Sequence, residues 1–109
     1  MHQAKVEQID AAALKAWMDR DPALLVVDVR TPGEREMARI ERARLLDQAL
    51  HDHLLTLERD TPIVFQCHHG MRSQAAAVHF AKLGFERVYN LAGGIEAWSR
   101  EVDPAVPRY

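Results

Sequence analysis

Apolar residues along this chain form short runs that turn residues separate from one another. Runs rich in β-branched and aromatic residues and bounded by Pro, Gly or Asp are typical of buried strands. Residues 24–29, 63–65 and 87–91 have this character. Residues 6–9 predict a short edge strand and residues 43–46 another brief one, so the pattern predicts five strands in all.

Segments with helical spacing of apolar residues lie between these runs. Helices are predicted over residues 11–18, 48–58 and 74–83, with a short helix ending at Met37 and a last helix through Ser99. Asp10 suits the N-cap of the first of these. Ser73 suits the N-cap of the helix over residues 74–83, which closes with Lys82 in its last turn and Gly84 just beyond it. Residues 103–109 are expected to lie over the domain as an irregular tail.

Strands that alternate with helices at this spacing indicate an α/β fold, with a mainly parallel five-stranded sheet and helices on both faces. Functional sites of such sheets lie beyond the carboxyl ends of the strands. The 109 residues contain no linker, repeat or low-complexity tract. We therefore expect a single domain over residues 1–109.

Charge and composition exclude several classes of function. The formal net charge is -2 and basic residues form no stripe of the kind that nucleic acids require, so no nucleic-acid partner is expected. The N-terminal residues lack the apolar core of a signal peptide, and no aliphatic run is longer than four residues. This predicts a cytoplasmic protein without a membrane partner. The single cysteine excludes an internal disulfide and a cysteine-rich metal cluster.

That cysteine, Cys67, is the candidate for chemistry. It follows a predicted strand, and a short loop containing Gly70 leads from it to Arg72. Such a loop forms an anion nest of backbone N–H groups around the sulfur, and the next helix adds the positive end of its dipole. A cysteine in these surroundings has a pKa of roughly 3.5 to 7.5 and is a nucleophile at neutral pH. The alternative is a buried structural cysteine, but the glycine, the arginine and Ser73 beside it favour function.

Three segments resemble the motifs of the rhodanese family, and they occur along the chain in the same order and with the same spacing as in that family. They are residues 67–73 (Cys-His-His-Gly-Met-Arg-Ser), residues 28–30 (Asp-Val-Arg) with Pro32 and Glu34, and residues 91–98 (Leu-Ala-Gly-Gly-Ile-Glu-Ala-Trp). The resemblance extends over nearly the whole chain and implies a rhodanese-like fold. One stretch departs from the family: where an aromatic residue and then Gly-His-Ile are common, this chain has Arg35 and, at residues 38–40, Ala-Arg-Ile.

The resemblance implies an enzyme that transfers sulfane sulfur. A small anionic donor such as thiosulfate would load sulfur onto Cys67 as a persulfide, and cyanide, a thiol or a protein acceptor would remove it. Cys67 would be the catalytic residue, the loop backbone would stabilise its anion, and Arg72 would attract the donor. The remaining loop residues would bind substrate: His68, His69, Gly70, Met71 and Ser73. No cofactor is expected.

Several of these residues have alternative interpretations. Cys67, His68 and His69 are consecutive and point in different directions, so they cannot surround one tetrahedral metal ion. Asp28 and Arg30 end a strand at the active edge, where a structural ion pair competes with a role in substrate binding. Other residues are predicted to be structural: Gly93 and Gly94 in a tight turn before the last helix, and His51 and His53 on a solvated surface.

Two other functions compete with sulfur transfer. Cysteine-dependent phosphatases also cradle an anion above a thiolate, but they need five residues between cysteine and arginine, whereas here four residues separate Cys67 from Arg72. Arsenate reductase activity would also require a second thiol. The second competitor is a noncatalytic binding module with the same fold, and the presence of both Cys67 and Arg72 argues against it.

Overall fold

Parallel pairing joins all strands of the structure, a computed structural model that describes residues 5–109. The strands are β1 (Val6–Ile9), β2 (Leu25–Asp28), β3 (Arg44–Leu45), β4 (Ile63–Gln66) and β5 (Val88–Leu91). The helices are α1 (Ala11–Arg20), α2 (Pro32–Met37), α3 (Gln48–Leu54), α4 (Met71–Lys82) and α5 (Gly94–Glu101). The five-stranded sheet has the order β1-β5-β4-β2-β3. Within residues 5–109 no helix is long and apolar enough to cross a membrane.

The sheet separates two hydrophobic layers. Helices α1 and α5 cover one face, where Leu14 and Trp98 belong to the core. Helices α3 and α4 cover the other face, where Leu54 and Phe80 are buried. Because successive strand residues point to opposite faces, Val64 joins the first layer while its neighbours in β4 join the second. The predicted parallel α/β architecture, with helices on both faces, is confirmed.

Helix α3 is shorter than its apolar spacing predicts, since it ends at Leu54 and not at residue 58. The Thr56 hydroxyl donates to the carbonyl of His53 at 2.6 Å. Nη1 of Arg59 donates to the carbonyls of Leu55 and Leu57, each at 3.0 Å. These side chains satisfy backbone carbonyls that lack partners at a helix end, so the chain can leave the helix early.

The prediction of a solvated surface is confirmed only in part for His51, whose side chain is half-buried. Its Nε2 lies 3.0 Å from Nε2 of His79, and its ring packs against Phe80 with 5.2 Å between the ring centroids. Both partners belong to α4, which covers this side of α3. His53, two residues further on, is exposed as predicted.

A buried ion pair ties β2 to the segment that follows it. Asp28 and Arg30 have fully buried side chains, with Arg30 Nη2 2.7 Å from Asp28 Oδ2 and Nε 2.9 Å from Oδ1. Arg30 Nη2 also donates to the carbonyl of Ala38 at 2.7 Å, just after α2. The bidentate geometry satisfies both charges, so the structure shows the ion pair that was one of the two interpretations of these residues.

We expect Arg30→Met to lower the free energy of unfolding by roughly 3 to 5 kcal/mol, because the buried Asp28 carboxylate would lose its bidentate partner and keep only a longer, 3.6 Å contact with Arg35. Urea unfolding followed by circular dichroism measures this. The matched control is Lys15→Met, which breaks the exposed pair between Lys15 and Asp19 and should cost less than about 1 kcal/mol. Equal losses in the two variants would contradict a stabilising role for the buried pair.

Candidate active site

The helix after Cys67 begins earlier than the sequence predicts, and Ser73 is not its N-cap. Helix α4 starts at Met71, and Gly70 is the N-cap with a φ of 106°. Glycine adopts this left-handed backbone readily, whereas other residues do so rarely. The turn at Gly70 places Ser73 inside the first helical turn, where backbone N–H groups have no partner within the helix. The N–H of Ser73 is therefore available to the sulfur.

Hydrogen-bond donors surround the sulfur of Cys67, which is almost completely buried. The backbone N–H groups of Gly70 and Ser73 lie 3.1 and 3.4 Å from Sγ, and the Ser73 hydroxyl lies 3.2 Å from it. Burial alone would raise the pKa of Cys67. Hydrogen bonds from the Ser73 hydroxyl and from backbone N–H groups of the loop outweigh burial and hold that pKa below its usual value.

Asn90 supports this loop from β5, and the sequence analysis missed it. Its Nδ2 donates to the carbonyl of Gly70 at 3.1 Å, and its Oδ1 lies 2.5 Å from the Ser73 hydroxyl. That hydroxyl has a single proton, so it donates either to Asn90 or to the sulfur of Cys67. An ionised sulfur is a stronger hydrogen-bond acceptor than a neutral thiol, so ionisation of Cys67 favours the hydrogen bond from Ser73 to the sulfur. A polar residue near the carboxyl end of an otherwise apolar strand is the signal that could have identified Asn90.

The N-terminus of α5 holds the loop from another side. The backbone N–H of Ile95 donates to the carbonyl of Cys67 at 2.8 Å, and that of Glu96 donates to the carbonyl of His68 at 3.2 Å. This contact requires glycine at position 94, because a Cβ there would overlap the carbonyl of His68 and Gly94 has a φ of 61°. The predicted tight turn at Gly93 and Gly94 is confirmed, and it brings α5 against the loop.

Arg72 lies at the mouth of the sulfur site but is paired with a carboxylate. Its Nη1 and Nη2 donate to the two oxygens of Glu34 at 2.7 and 2.9 Å. The Arg72 guanidinium holds the pKa of Glu34 well below its usual range. The sequence analysis placed Glu34 in a motif without assigning it a partner. An anion that enters the site therefore meets an arginine whose charge is already offset by Glu34.

A cavity of about 300 Å³ opens beside the sulfur. It is lined by Cys67, His68, His69, Met71 and Arg72. The His68 ring lies between those of His69 and Tyr109, with 3.9 Å between centroids on each side. The structure thus brings the predicted loop residues together around Cys67, with the backbone of Gly70 and Ser73 beneath them.

Four residues discussed in the sequence analysis do not line this cavity. Asp28 and Arg30 form the buried ion pair described above. Nη1 of Arg35 lies 3.6 Å from Oδ2 of Asp28, and Nε of Arg39 lies 3.3 Å from Oε2 of Glu41. The two basic residues that depart from the family pattern thus face other carboxylates.

Residues 10–101 match the rhodanese-like domain family. The thiosulfate sulfurtransferase GlpE of Vibrio cholerae is 39% identical over 93 residues, which cover 84% of this chain and 87% of that protein. GlpE of Ectopseudomonas mendocina is 40% identical over 80 residues, covering 72% of this chain and 73% of that protein.

Solved structures agree with these sequence relatives. The crystal structure of a rhodanese-like domain protein from Staphylococcus aureus superimposes with a TM-score of 0.75 at 25% identity, covering 95% of this chain and 99% of that one. Fold and cysteine loop together define an enzyme of the sulfurtransferase class. This chain belongs to the rhodanese-like family.

We expect Gly94→Ala to disturb the loop around Cys67, because the added Cβ meets the loop backbone and the left-handed conformation strains any residue other than glycine. The strain alone should lower the free energy of unfolding by roughly 1 to 3 kcal/mol. Gly33→Ala is the matched control, since a Cβ at Gly33 lies 4.0 Å from the nearest atom it would meet. If both variants unfold at the same urea concentration as the wild type, the close approach of α5 is not required.

We expect Ser73→Ala to raise the pKa of Cys67, because the variant loses a hydrogen bond to the sulfur, and a hydrogen bond to a charged group contributes about 1.5 to 3 kcal/mol. Less thiolate is then present at neutral pH, and the midpoint of alkylation by iodoacetamide against pH moves upward. Ser99→Ala removes another buried hydroxyl, in α5, and should leave this midpoint unchanged. An unchanged midpoint in Ser73→Ala would show that the backbone N–H groups alone suffice to lower the pKa of Cys67.

Proposed function

We propose that Cys67 carries transferable sulfur as a persulfide, with thiosulfate or a similar small anion as the donor. The observation that carries this proposal is the set of donors around Sγ: the N–H groups of Gly70 and Ser73 and the Ser73 hydroxyl. These groups favour an anionic sulfur without an adjacent general base. Thiosulfate is chosen as the sulfur donor in the proposal because the GlpE relatives are named thiosulfate sulfurtransferases.

In the loading step, the thiolate of Cys67 attacks the outer sulfur of thiosulfate. A bond forms between the two sulfurs as the bond from the outer sulfur to the sulfite group breaks. Sulfite leaves with the electron pair of that bond, and the persulfide keeps the single negative charge of the original thiolate. No proton needs to move in this step, so the step requires no general base beside Cys67.

In the unloading step, a thiophilic acceptor attacks the terminal sulfur of the persulfide. With cyanide the products are thiocyanate and the Cys67 thiolate, and with a thiolate acceptor they are a new persulfide and the Cys67 thiolate. A protein can serve as acceptor if it presents such a thiol. The cavity of about 300 Å³ beside Cys67 has room for the added sulfur atom and a small reagent.

The proposed roles of the other residues follow from their positions. Arg72 attracts the anionic donor with those N–H groups that Glu34 does not occupy, since a guanidinium carries five. His68, His69 and Met71 form the walls along which the donor enters. Asp28 and Arg30 support the site by holding α2 in place. In the proposal, residues 1–109 form one domain and act in the cytoplasm without a cofactor.

Thiosulfate should increase the mass of the purified protein by one sulfur atom, and cyanide or a reducing thiol should reverse the increase. Intact-protein mass spectrometry measures both. Cys67→Ser should show no increase, because Cys67 is the single cysteine of the chain. Sulfate, which has no transferable sulfur, is the matched control reagent.

Two results would contradict the proposal. One is sulfur uptake by Cys67→Ser at the wild-type level. The other is Cys67-dependent hydrolysis of an aryl phosphate that is faster than sulfur transfer. The second result would favour a phosphatase in spite of the short loop between Cys67 and Arg72.

A further inference from the structure

The C-terminal segment returns to the active site, where Tyr109 makes three contacts, none of them with the sulfur of Cys67. Its ring stacks on His68 with an interplanar angle of 10°. Its hydroxyl lies 2.6 Å from Oε2 of Glu34 and 3.0 Å from Nη1 of Arg30. Val106, three residues earlier, is buried against the core and anchors the segment.

The direction of these hydrogen bonds is fixed by their partners. Arg30 has only hydrogen-bond donors, so the Tyr109 oxygen accepts a hydrogen bond from Arg30. The Tyr109 hydroxyl in turn donates a hydrogen bond to Glu34. Burial and the neighbouring Glu34 carboxylate raise the pKa of Tyr109, so the hydroxyl keeps its proton at neutral pH. Arg30 is itself immobilised by Asp28. Tyr109 therefore links a fixed, buried arginine to the carboxylate of Glu34.

Glu34, held by Tyr109, in turn binds the guanidinium of Arg72. One oxygen, Oε2, accepts from Tyr109 and from Nη2 of Arg72, while Oε1 accepts from Nη1 of Arg72 at 2.7 Å and from the N–H of Thr31 at 3.2 Å. The carboxylate thus has hydrogen bonds to the start of α2, to the C-terminal segment and to the active-site loop. Arg72 is a long side chain that is 46% exposed, and these contacts restrict its conformations.

We propose that Tyr109 is a positioning residue, which acts through Glu34 to hold the guanidinium of Arg72 at the mouth of the Cys67 cavity for an anionic reagent. The proposal rests on the proposed function for the identity of that reagent as a sulfur donor. The positioning role itself does not depend on the proposed function, because any small anion that reacts with Cys67 must pass the same arginine. Preorganising a binding group in this way reduces the entropy lost on binding.

The test compares alkylation of Cys67 by iodoacetate, which is an anion, with alkylation by neutral iodoacetamide. Tyr109→Phe keeps the ring on His68 and removes the hydroxyl. We expect the ratio of the iodoacetate rate to the iodoacetamide rate to fall about threefold to tenfold, as for the loss of one hydrogen bond. Arg72→Ala gives the ratio without the guanidinium. Tyr89→Phe, in which the changed ring packs against Trp17, is the matched control and should keep the wild-type ratio.

A double variant shows whether Tyr109 acts through Glu34. In a Glu34→Gln background, Tyr109→Phe should change the ratio no further, because coupled residues are not additive. Additive effects, an unchanged ratio in Tyr109→Phe, or a higher ratio there would overturn the positioning role. A higher ratio would mean that Glu34 prevents Arg72 from binding anions and that the hydrogen bond from Tyr109 strengthens this inhibition.

Thiosulfate loading, measured by mass on the same variants, separates the two proposals. If the wild type loads sulfur, Tyr109→Phe should require a higher thiosulfate concentration for half-maximal loading, while release of sulfur from the loaded protein to a thiol stays unchanged. If the wild type fails to load sulfur but the alkylation ratio still falls in Tyr109→Phe, the proposed function is wrong and the positioning role stands.

Discussion

Burying a sulfur that must become an anion is the constraint on which the rest of this structure depends. Removing a charged group from water is unfavourable unless hydrogen bonds replace the solvent. At Cys67 those bonds come from the loop backbone and from Ser73, all within 3.4 Å of Sγ. Backbone donors point inward only if the chain turns sharply between strand and helix. The left-handed Gly70 makes that turn.

A loop whose N–H groups point inward turns its carbonyl groups outward, and these need partners of their own. Helix α5 supplies N–H groups to the carbonyls of Cys67 and His68, and Asn90 supplies an amide to the carbonyl of Gly70. The approach of α5 is so close that residue 94 must be glycine. Features that are distant in sequence, such as β5 and the start of α5, therefore serve the same requirement as the loop itself.

The sequence was sufficient for the architecture because strands and helices leave periodic patterns. Five strands, their parallel pairing and the position of Cys67 at the carboxyl edge follow from those patterns. The N-cap of α4 was predicted at Ser73, since serine is a common capping residue, but Ser73 lies within the first turn beside the sulfur. Asn90 leaves a local signal, as a polar residue in an apolar strand, but that signal does not reveal its contact with Ser73. The contact of Tyr109 with Glu34, 75 residues apart, leaves no local pattern at all.

The distribution of charge suits the proposed carrier role. Asp28, Arg30, Glu34 and Arg72 alternate in sign, and Tyr109 bridges Arg30 and Glu34. The sulfur itself is held by neutral N–H and O–H dipoles, and Arg72 at the mouth of the cavity is matched by a carboxylate. In the proposed reaction the thiolate and the persulfide carry the same single negative charge, although in the persulfide that charge lies on the terminal sulfur and not on Sγ. Loading and unloading therefore leave the net charge of the site unchanged, so the ion pairs around it need not change partners as sulfur is accepted and released.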